Sequence, residues 1–446
     1  MSVLLDKIPP YNLEAEQAVL GSMMIDREAV YTAAEVLEPE SFYKEAHQLI
    51  FSALLCLDAK REPIDMITLT EELRQENNLE KVGSVAYVAA IANVVPTAAN
   101  VRHYADIVAE KAILRNLIRF STQIANRCYE DQEDTYELLD SAEQRILEIA
   151  GKRNTSGLVH VKQVLGEALE RIELLANQKG SITGIPSHFS DLDRLTAGWQ
   201  PSDLIILAAR PAMGKTSFGL NIAQNAAIKS KTPVAIFSLE MSREQLAQRL
   251  MSSEAMIDQH KLRTGNLLDE DWVRLTKAVQ PLSLANLYID DTPAISLLEL
   301  RAKARRLKAE KGLSMVIIDY LQLMQLNKKS ENRQQEISEI SRSLKALARE
   351  LNLPVIALSQ LSRAVEQTAD KRPSLSHLRE SGALEQDADL VMFIYRDEYY
   401  NPETTEKPGI AEIIIAKHRN GPTGNVELGF IKEFTKFVDL DRVHEA

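Results

Sequence analysis

Residues Ala209 to Thr216 read Ala-Arg-Pro-Ala-Met-Gly-Lys-Thr, a phosphate-binding loop in which only the first expected glycine is replaced, by Ala209. Such a loop binds anions. The backbone N–H groups of Ala212, Met213, Gly214 and Ser217, at the positive end of a helix, are placed to hold phosphate oxygens. Lys215 is placed to reach the β- and γ-phosphates and Thr216 to ligate Mg²⁺. Two acids complete a hydrolytic set. Asp319 ends Met315-Val-Ile-Ile-Asp319, where a carboxylate at a strand tip holds Mg²⁺ through water. Glu240 follows Phe237-Ser-Leu and is placed to orient and polarise the attacking water. Gln360, in Leu358-Ser-Gln360-Leu, is a neutral amide suited to sensing the γ-phosphate. Taken singly, each has a bland alternative: a surface turn, a strand-end cap, a turn former. Together they describe a site for ATP or another nucleoside triphosphate with Mg²⁺.

These residues need strands and helices to hold them. Asp203-Leu-Ile-Ile-Leu-Ala-Ala209 is a continuous apolar run of the kind a buried parallel strand shows, and Ser217 to Ala227 has helical spacing. Strand, loop and helix follow in the order the motif requires. From Gly184 onward, apolar runs at Leu204–Ala208, Val234–Ser238, Met315–Ile318, Val355–Ser359 and Leu390–Tyr395 alternate with helical stretches. Two more strand-like runs, Ile410–Lys417 and Val426–Phe430, flank the turn signal Arg419-Asn-Gly-Pro422. The expectation is an α/β domain: a mostly parallel sheet with helices on both faces, ending in a β-hairpin.

Residues 1–150 read differently, as an all-α domain. Asn12 is positioned to cap a helix carrying Leu13, Val19, Leu20, Met23 and Met24, and further helical patterns run over Ala29–Leu37, His47–Ala59, Met66–Gln75, Ser84–Asn93, Ala99–Cys128 and Thr135–Ala150. No catalytic set stands out there, so assembly or partner docking is the economical reading. Residues 151–183 form a linker with one amphipathic helix, Val161–Asn177, whose apolar face is expected on its own C-terminal domain or on an adjacent subunit. Residues 184–446 are expected to form the α/β ATPase domain.

Composition narrows the class. The net charge of −12 belongs to the N-terminal third, where residues 1–150 hold 26 acidic against 13 basic side chains, leaving 38 acidic and 39 basic in the remainder. A near-neutral C-terminal domain can still concentrate positive charge on one surface. No run of about 18 apolar residues appears, and the start Met1-Ser-Val-Leu-Leu-Asp-Lys lacks a secretion signal's apolar core, so no membrane span and a cytoplasmic chain are expected. Cys56 and Cys128, the only cysteines, sit in helix-like apolar patterns and are expected as buried thiols.

The motifs Ala-Arg-Pro-Ala-Met-Gly-Lys-Thr, Phe-Ser-Leu-Glu-Met-Ser, Val-Ile-Ile-Asp-Tyr-Leu-Gln-Leu, Leu-Ser-Gln-Leu-Ser-Arg and Lys417-His-Arg419-Asn-Gly, with the start Pro9-Pro-Tyr-Asn-Leu-Glu-Ala-Glu-Gln-Ala-Val-Leu-Gly-Ser, resemble the bacterial DnaB-type replicative helicases of the RecA-like superfamily. The resemblance covers essentially the whole chain, and Ala209 is similar to what that family carries. It implies a homohexameric ring with ATP at each interface, moving 5′→3′ on single-stranded DNA at the replication fork. Primase, a helicase loader and other replisome proteins are the implied partners. It implies that Lys417 and Arg419 act across the interface on the neighbour's γ-phosphate, and that Arg249 lies near the nucleotide base. DNA is expected at Asn327–Arg333, with Lys328 and Lys329, and at the stretch from Arg363 to Gly382, where Arg379 meets phosphate and Glu380 and Gly382 offer backbone N–H groups. These loops lack an aromatic ladder, which favours tracking the backbone over stacking on bases. Two rival readings are a recombinase-type filament ATPase and an ATP-gated scaffold without unwinding. The helical N-terminal domain counts against the first, and the intact set Lys215, Thr216, Glu240 and Asp319 against the second.

Overall fold

The computed structural model describes residues 8–130, 182–324, 333–368 and 370–440, with scattered positions between 135 and 169. It divides into two compact units, Met1–Ala168 and Leu169–Ala446.

The N-terminal unit is helical: α1 Leu13–Ile25, α2 Arg27–Ala34, α3 Glu45–Lys60, α4 Met66–Gln75, α5 Leu79–Val82, α6 Val85–Ala92 and α7 Val101–Glu130. Asn12 caps α1, its side-chain oxygen accepting from the Ala15 N–H at 3.0 Å. Leu20, Met23, Phe51, Leu54, Leu69 and Leu73 form the centre of one apolar core. Gly21 allows α1 and α6 to approach, since a Cβ there would meet the Ile91 carbonyl oxygen at 2.7 Å. The expected helices are present with ends shifted by a few residues, except that Thr135–Ala150 and the linker helix Val161–Asn177 fall mostly outside the described residues. The cysteines depart from expectation: Cys56 is only partly buried and Cys128 is exposed. The last buried position of α7 is Phe120, and Cys128 lies two turns beyond it.

The C-terminal unit holds α8 Ser190–Thr196, β1 Leu204–Ala209, α9 Lys215–Ile228, β2 Val234–Ser238, α10 Arg243–Ala255, α11 Gln259–Thr264, α12 Asp269–Leu284, β3 Leu287–Asp290, α13 Leu297–Lys311, β4 Met315–Asp319, α14 Arg333–Leu351, β5 Val355–Gln360, α15 Gly382–Asp387, β6 Leu390–Tyr395, α16 Asp397–Tyr400, β7 Ile410–His418, β8 Gly424–Ile431 and β9 Lys436–Asp439. The strands form one sheet in the order β3-β2-β4-β5-β1-β6-β7-β8-β9. The first six in that row are parallel and the last three antiparallel.

β1 shows why its sequence is apolar throughout. Ile205, Leu207 and Ala209 face one core and Leu204, Ile206 and Ala208 face another, so both faces are covered by helices. Two strands add to the expectation. β3 puts the two segments expected to meet DNA after the fourth and fifth strands, and β9 extends the terminal hairpin to three antiparallel strands. No described helix is long and apolar enough to cross a membrane.

Candidate nucleotide site

The sheet order gathers the site. β2, β4, β5 and β1 are consecutive neighbours, and register aligns Ser238 with Asp319 and Ala209 with Gln360. Asp319 and Gln360 therefore end, and Glu240 and the phosphate loop follow, four adjacent strands about 4.8 Å apart. The Leu239 N–H donates to the Asp319 carbonyl at 2.7 Å, and the Leu361 N–H to the Ala209 carbonyl at 3.1 Å, tying the tips together.

Gly214 caps α9 at φ +98°, a left-handed conformation suited to glycine, and a Cβ there would meet Phe437 Cζ at 3.1 Å. Ala212 also has positive φ, at 65°. Both bend the chain into the cradle from which α9 starts. Ser217 is buried and Thr216 half-buried on its first turn.

Lys215 and Asp319 meet at the centre, Nζ to Oδ1 3.6 Å, a Coulombic contact longer than a hydrogen bond. The Lys215 ammonium also lies 4.2 Å from the centroid of the Tyr320 ring. Burial pushes the Lys215 ammonium below its usual range, and the charges of Asp319 and Glu240 pull it back in part. Both carboxylate oxygens of Asp319 are buried without a hydrogen-bond partner. Such oxygens fit the outer shell of a hydrated divalent cation.

Glu240 is exposed at the rim and its charge acts on Lys215, Tyr320 and Arg249. Arg249, half-buried on α10, faces the same acids: burial pushes its guanidinium down while Asp319 and Glu240 draw it up, and its Nε has no hydrogen-bond partner. Gln360 is exposed, while Gln322 grips its backbone, accepting from its N–H and donating to its carbonyl, both at 3.2 Å.

Family models match this chain over both units: the DnaB-like helicase N-terminal domain over residues 8–110 and the DnaB-like helicase C-terminal domain over residues 184–439. The chain belongs to the DnaB-like helicase family. It is 56% identical to the replicative DNA helicase DnaC of Bacillus subtilis, covering 99% of this chain and 97% of that one. It is 55% identical to the replicative DNA helicase DnaB of Geobacillus stearothermophilus, covering 98% and 96%. A solved DnaB-like replicative helicase, described with its interactions with primase, is 38% identical and superposes with a TM-score of 0.79 over 96% of this chain and 100% of that one. A solved ATPase domain, 44% identical, covers 64% of this chain and 100% of that one at a TM-score of 0.61. The family and that ATPase-domain likeness make the C-terminal unit of this DnaB-like chain a nucleotide-binding one.

Lys417 and Arg419 stand away from this cluster. The end of β7 pairs with the beginning of β6, Lys417 beside Val391, and β6 runs parallel to β1 with Leu390 beside Ile205. The two basic residues therefore sit at the start of β1, while the phosphate loop follows its end. Five residue steps of strand, about 17 Å, separate them. Neither is a freely solvated charge. Lys417 Nζ donates to the carbonyls of Glu385, Gln386 and Ala388 at 2.5, 3.2 and 2.8 Å. Arg419 pairs with Asp389 at 3.1 Å and also reaches the Gln386 carbonyl.

Of the residues expected to meet DNA, Arg379 and Glu380 lie in a short 3-10 segment, Leu375–Ser381, and Gly382 begins α15. Lys328 and Lys329 lie outside the described residues. Sequence reasoning missed three supporting residues: Gln322, Tyr320 and Arg210. Arg210 ties the phosphate loop to the segment after Gln360, pairing with Glu366 at 2.8 Å and donating to the Leu361 carbonyl at 3.0 Å. A basic residue inside the loop motif was its only trace in the sequence.

Proposed function

We propose that this chain is one subunit of a ring-shaped replicative DNA helicase in which ATP bound with Mg²⁺ between neighbours is hydrolysed by residues of both. The helicase activity follows from the family. In this reading the backbone of Ala212, Met213, Gly214 and Ser217 cradles the phosphates, Lys215 neutralises them, and Thr216 and Asp319 hold Mg²⁺. Glu240 takes the water's proton, Gln360 senses the γ-phosphate, and Arg249 contacts the nucleotide.

The observation that carries the two-subunit reading is sheet polarity. Lys417 and Arg419 sit at the opposite end of β1 from their own phosphate loop, beyond the reach of a lysine or arginine side chain. A finger placed there serves only a neighbour's nucleotide, stabilising charge in the transition state. Arg210 supports a link from nucleotide to DNA, because its partners Leu361 and Glu366 begin the stretch that leads to Arg379, Glu380 and Gly382. Those residues, with Lys328 and Lys329, are proposed to track one strand 5′→3′ through the ring. Residues 1–150 serve assembly and docking of primase, a loader and other replisome proteins, 151–183 link, and 184–446 drive.

Strand displacement on forks with a single 5′ or 3′ tail tests the activity: ATP-dependent opening from the 5′ tail is expected, and opening from the 3′ tail alone refutes the direction. Mixed rings test the shared site. Arg419→Ala and Lys215→Ala subunits, each inactive, should regain activity together, because one supplies a phosphate loop and the other a finger. Mixed rings shown to hold both subunits yet regaining nothing refute the trans role.

A further inference from the structure

The carbonyls that hold the fingers belong to one short helix and to the residue just after it. α15 has six residues, Gly382–Asp387, and spans about 9 Å. Its first residue, Gly382, is proposed above to meet DNA; its last turn and the two residues beyond it supply every partner of Lys417 and Arg419 named above. Leu384 and Ala388 are fully buried, so this segment is packed into the domain rather than free on its surface.

Asp389 closes the arrangement. It is 4% exposed. One carboxylate oxygen accepts from the Leu204 N–H at 2.9 Å and from Lys345, while the other faces Arg419 Nη1 at 3.1 Å. Its carbonyl accepts from the Arg419 N–H at 2.8 Å. Asp389 is thus fixed to the start of β1 and to α14, and it presents to Arg419 an anionic oxygen like the one a phosphate presents. The two cations are held unequally. Lys345 is 14% exposed and Arg419 is 47% exposed, so the Arg419 contact is the weaker, more solvated one. When Arg419 leaves, Asp389 keeps Lys345 and the Leu204 N–H, and no buried charge is stranded. Burial, and after it the charge of Asp389, pushes the nearby Asp203 carboxyl up to about 6.

We propose that Asp389 is the positioning residue of the trans finger, holding Arg419 at rest until single-stranded DNA on residues 379–382 shifts α15 and releases both basic residues toward the neighbour's nucleotide. This rests on the trans reading of Arg419 given above. It makes the finger's availability, and not only nucleotide binding, depend on DNA.

Asp389→Asn in the full chain tests it, because the amide oxygen still accepts from Leu204 while the charge facing Arg419 is lost. ATP hydrolysis is measured with and without a thymidine-only single strand. The DNA-free rate is expected to rise about two- to fivefold, the scale of a half-exposed ion pair, and the DNA-stimulated to DNA-free ratio to fall by the same factor. A structural role alone lowers both rates together; that outcome, with an unchanged ratio, overturns the proposal. If Asp389→Asn fails to fold, Glu385→Gly loosens α15 while keeping every carbonyl, and its ratio is expected to fall as well; an unchanged ratio overturns the proposal equally. The mixed rings of Arg419→Ala and Lys215→Ala separate the two levels. Regained activity with an unchanged ratio removes only the DNA coupling, whereas no regained activity removes the trans reading and this proposal with it.

Discussion

Neutralising the Lys215–Asp319 pair one side at a time and then together should show strong coupling in the nucleotide-free protein. The charges stand 3.6 Å apart, with side chains 12% and 4% exposed. At that separation two unit charges interact by about 4–5 kcal/mol at an effective dielectric of about 20. Part of this is offset because the resting pair satisfies neither Asp319 oxygen with a hydrogen bond. A coupling of about 2–3 kcal/mol is therefore expected. Lys215→Met leaves a buried, unpartnered carboxylate and should cost about 3 kcal/mol of stability. Asp319→Asn leaves an ammonium that burial already holds below its usual range. The double variant should lose less than the sum. Urea unfolding followed by tryptophan fluorescence reads this unit alone, because the chain's two tryptophans, Trp199 and Trp272, both lie in it. Coupling below about 0.5 kcal/mol would mean that the two charges do not sense each other and that the central geometry is wrong.

Glu240→Gln should bind nucleotide near normally and lose about 10²–10⁴ in turnover, the usual scale for a lost general base; parental turnover would remove Glu240 from the chemistry. Gly214→Ala should destabilise the motor unit by about 1–3 kcal/mol and weaken nucleotide binding, because φ +98° is unfavourable for alanine and its Cβ would press on Phe437; unchanged unfolding by tryptophan fluorescence would contradict this. Asp203→Asn should stabilise the unit above pH 6. The folded Asp203 carboxyl is raised to about 6 against an ordinary 3.8, so the native state holds the extra proton between those values and stability falls as pH rises through them. Discounted for its partial exposure, the gain should be about 1–2 kcal/mol above pH 6 and vanish below about pH 4; a gain that grows toward acid would reverse the assignment.

What the sequence disclosed followed from how each signal is made. The strand tips that carry the phosphate loop, Glu240 and Asp319 were legible because the strands leading to them are buried on both faces and read as unbroken apolar runs. β3 and β9 were not. Leu287-Tyr-Ile-Asp290 is half-buried along its whole length at one edge of the sheet. Lys436-Phe-Val-Asp439 has charged ends, and its Phe437 N–H is held by the Asn221 side chain at 2.6 Å, a contact between residues 216 positions apart. Four residues carry too little periodicity to separate strand from turn. Cys128 misled for the complementary reason: its helical pattern continues after the core that would bury it has ended at Phe120.

The residues that sequence reading passed over share one property, that their meaning lies in partners distant in the chain. Gln322 acts on the backbone of Gln360, Arg210 on Glu366, and Asp389 on Leu204, Lys345 and Arg419. None of these pairings has a spacing that a motif records. The polarity of the sheet is of the same kind. Lys417 and Arg419 are recognisable as a basic pair, but only the pairing of the end of β7 with the beginning of β6 puts them at the far end of β1 from their own Lys215. A parallel core that collects the phosphate site at its strand ends necessarily leaves an appended antiparallel strand finishing at the opposite edge. On the proposed reading, that polarity is what divides the site between neighbours, since a single subunit carries both sets of residues at opposite edges of its own sheet.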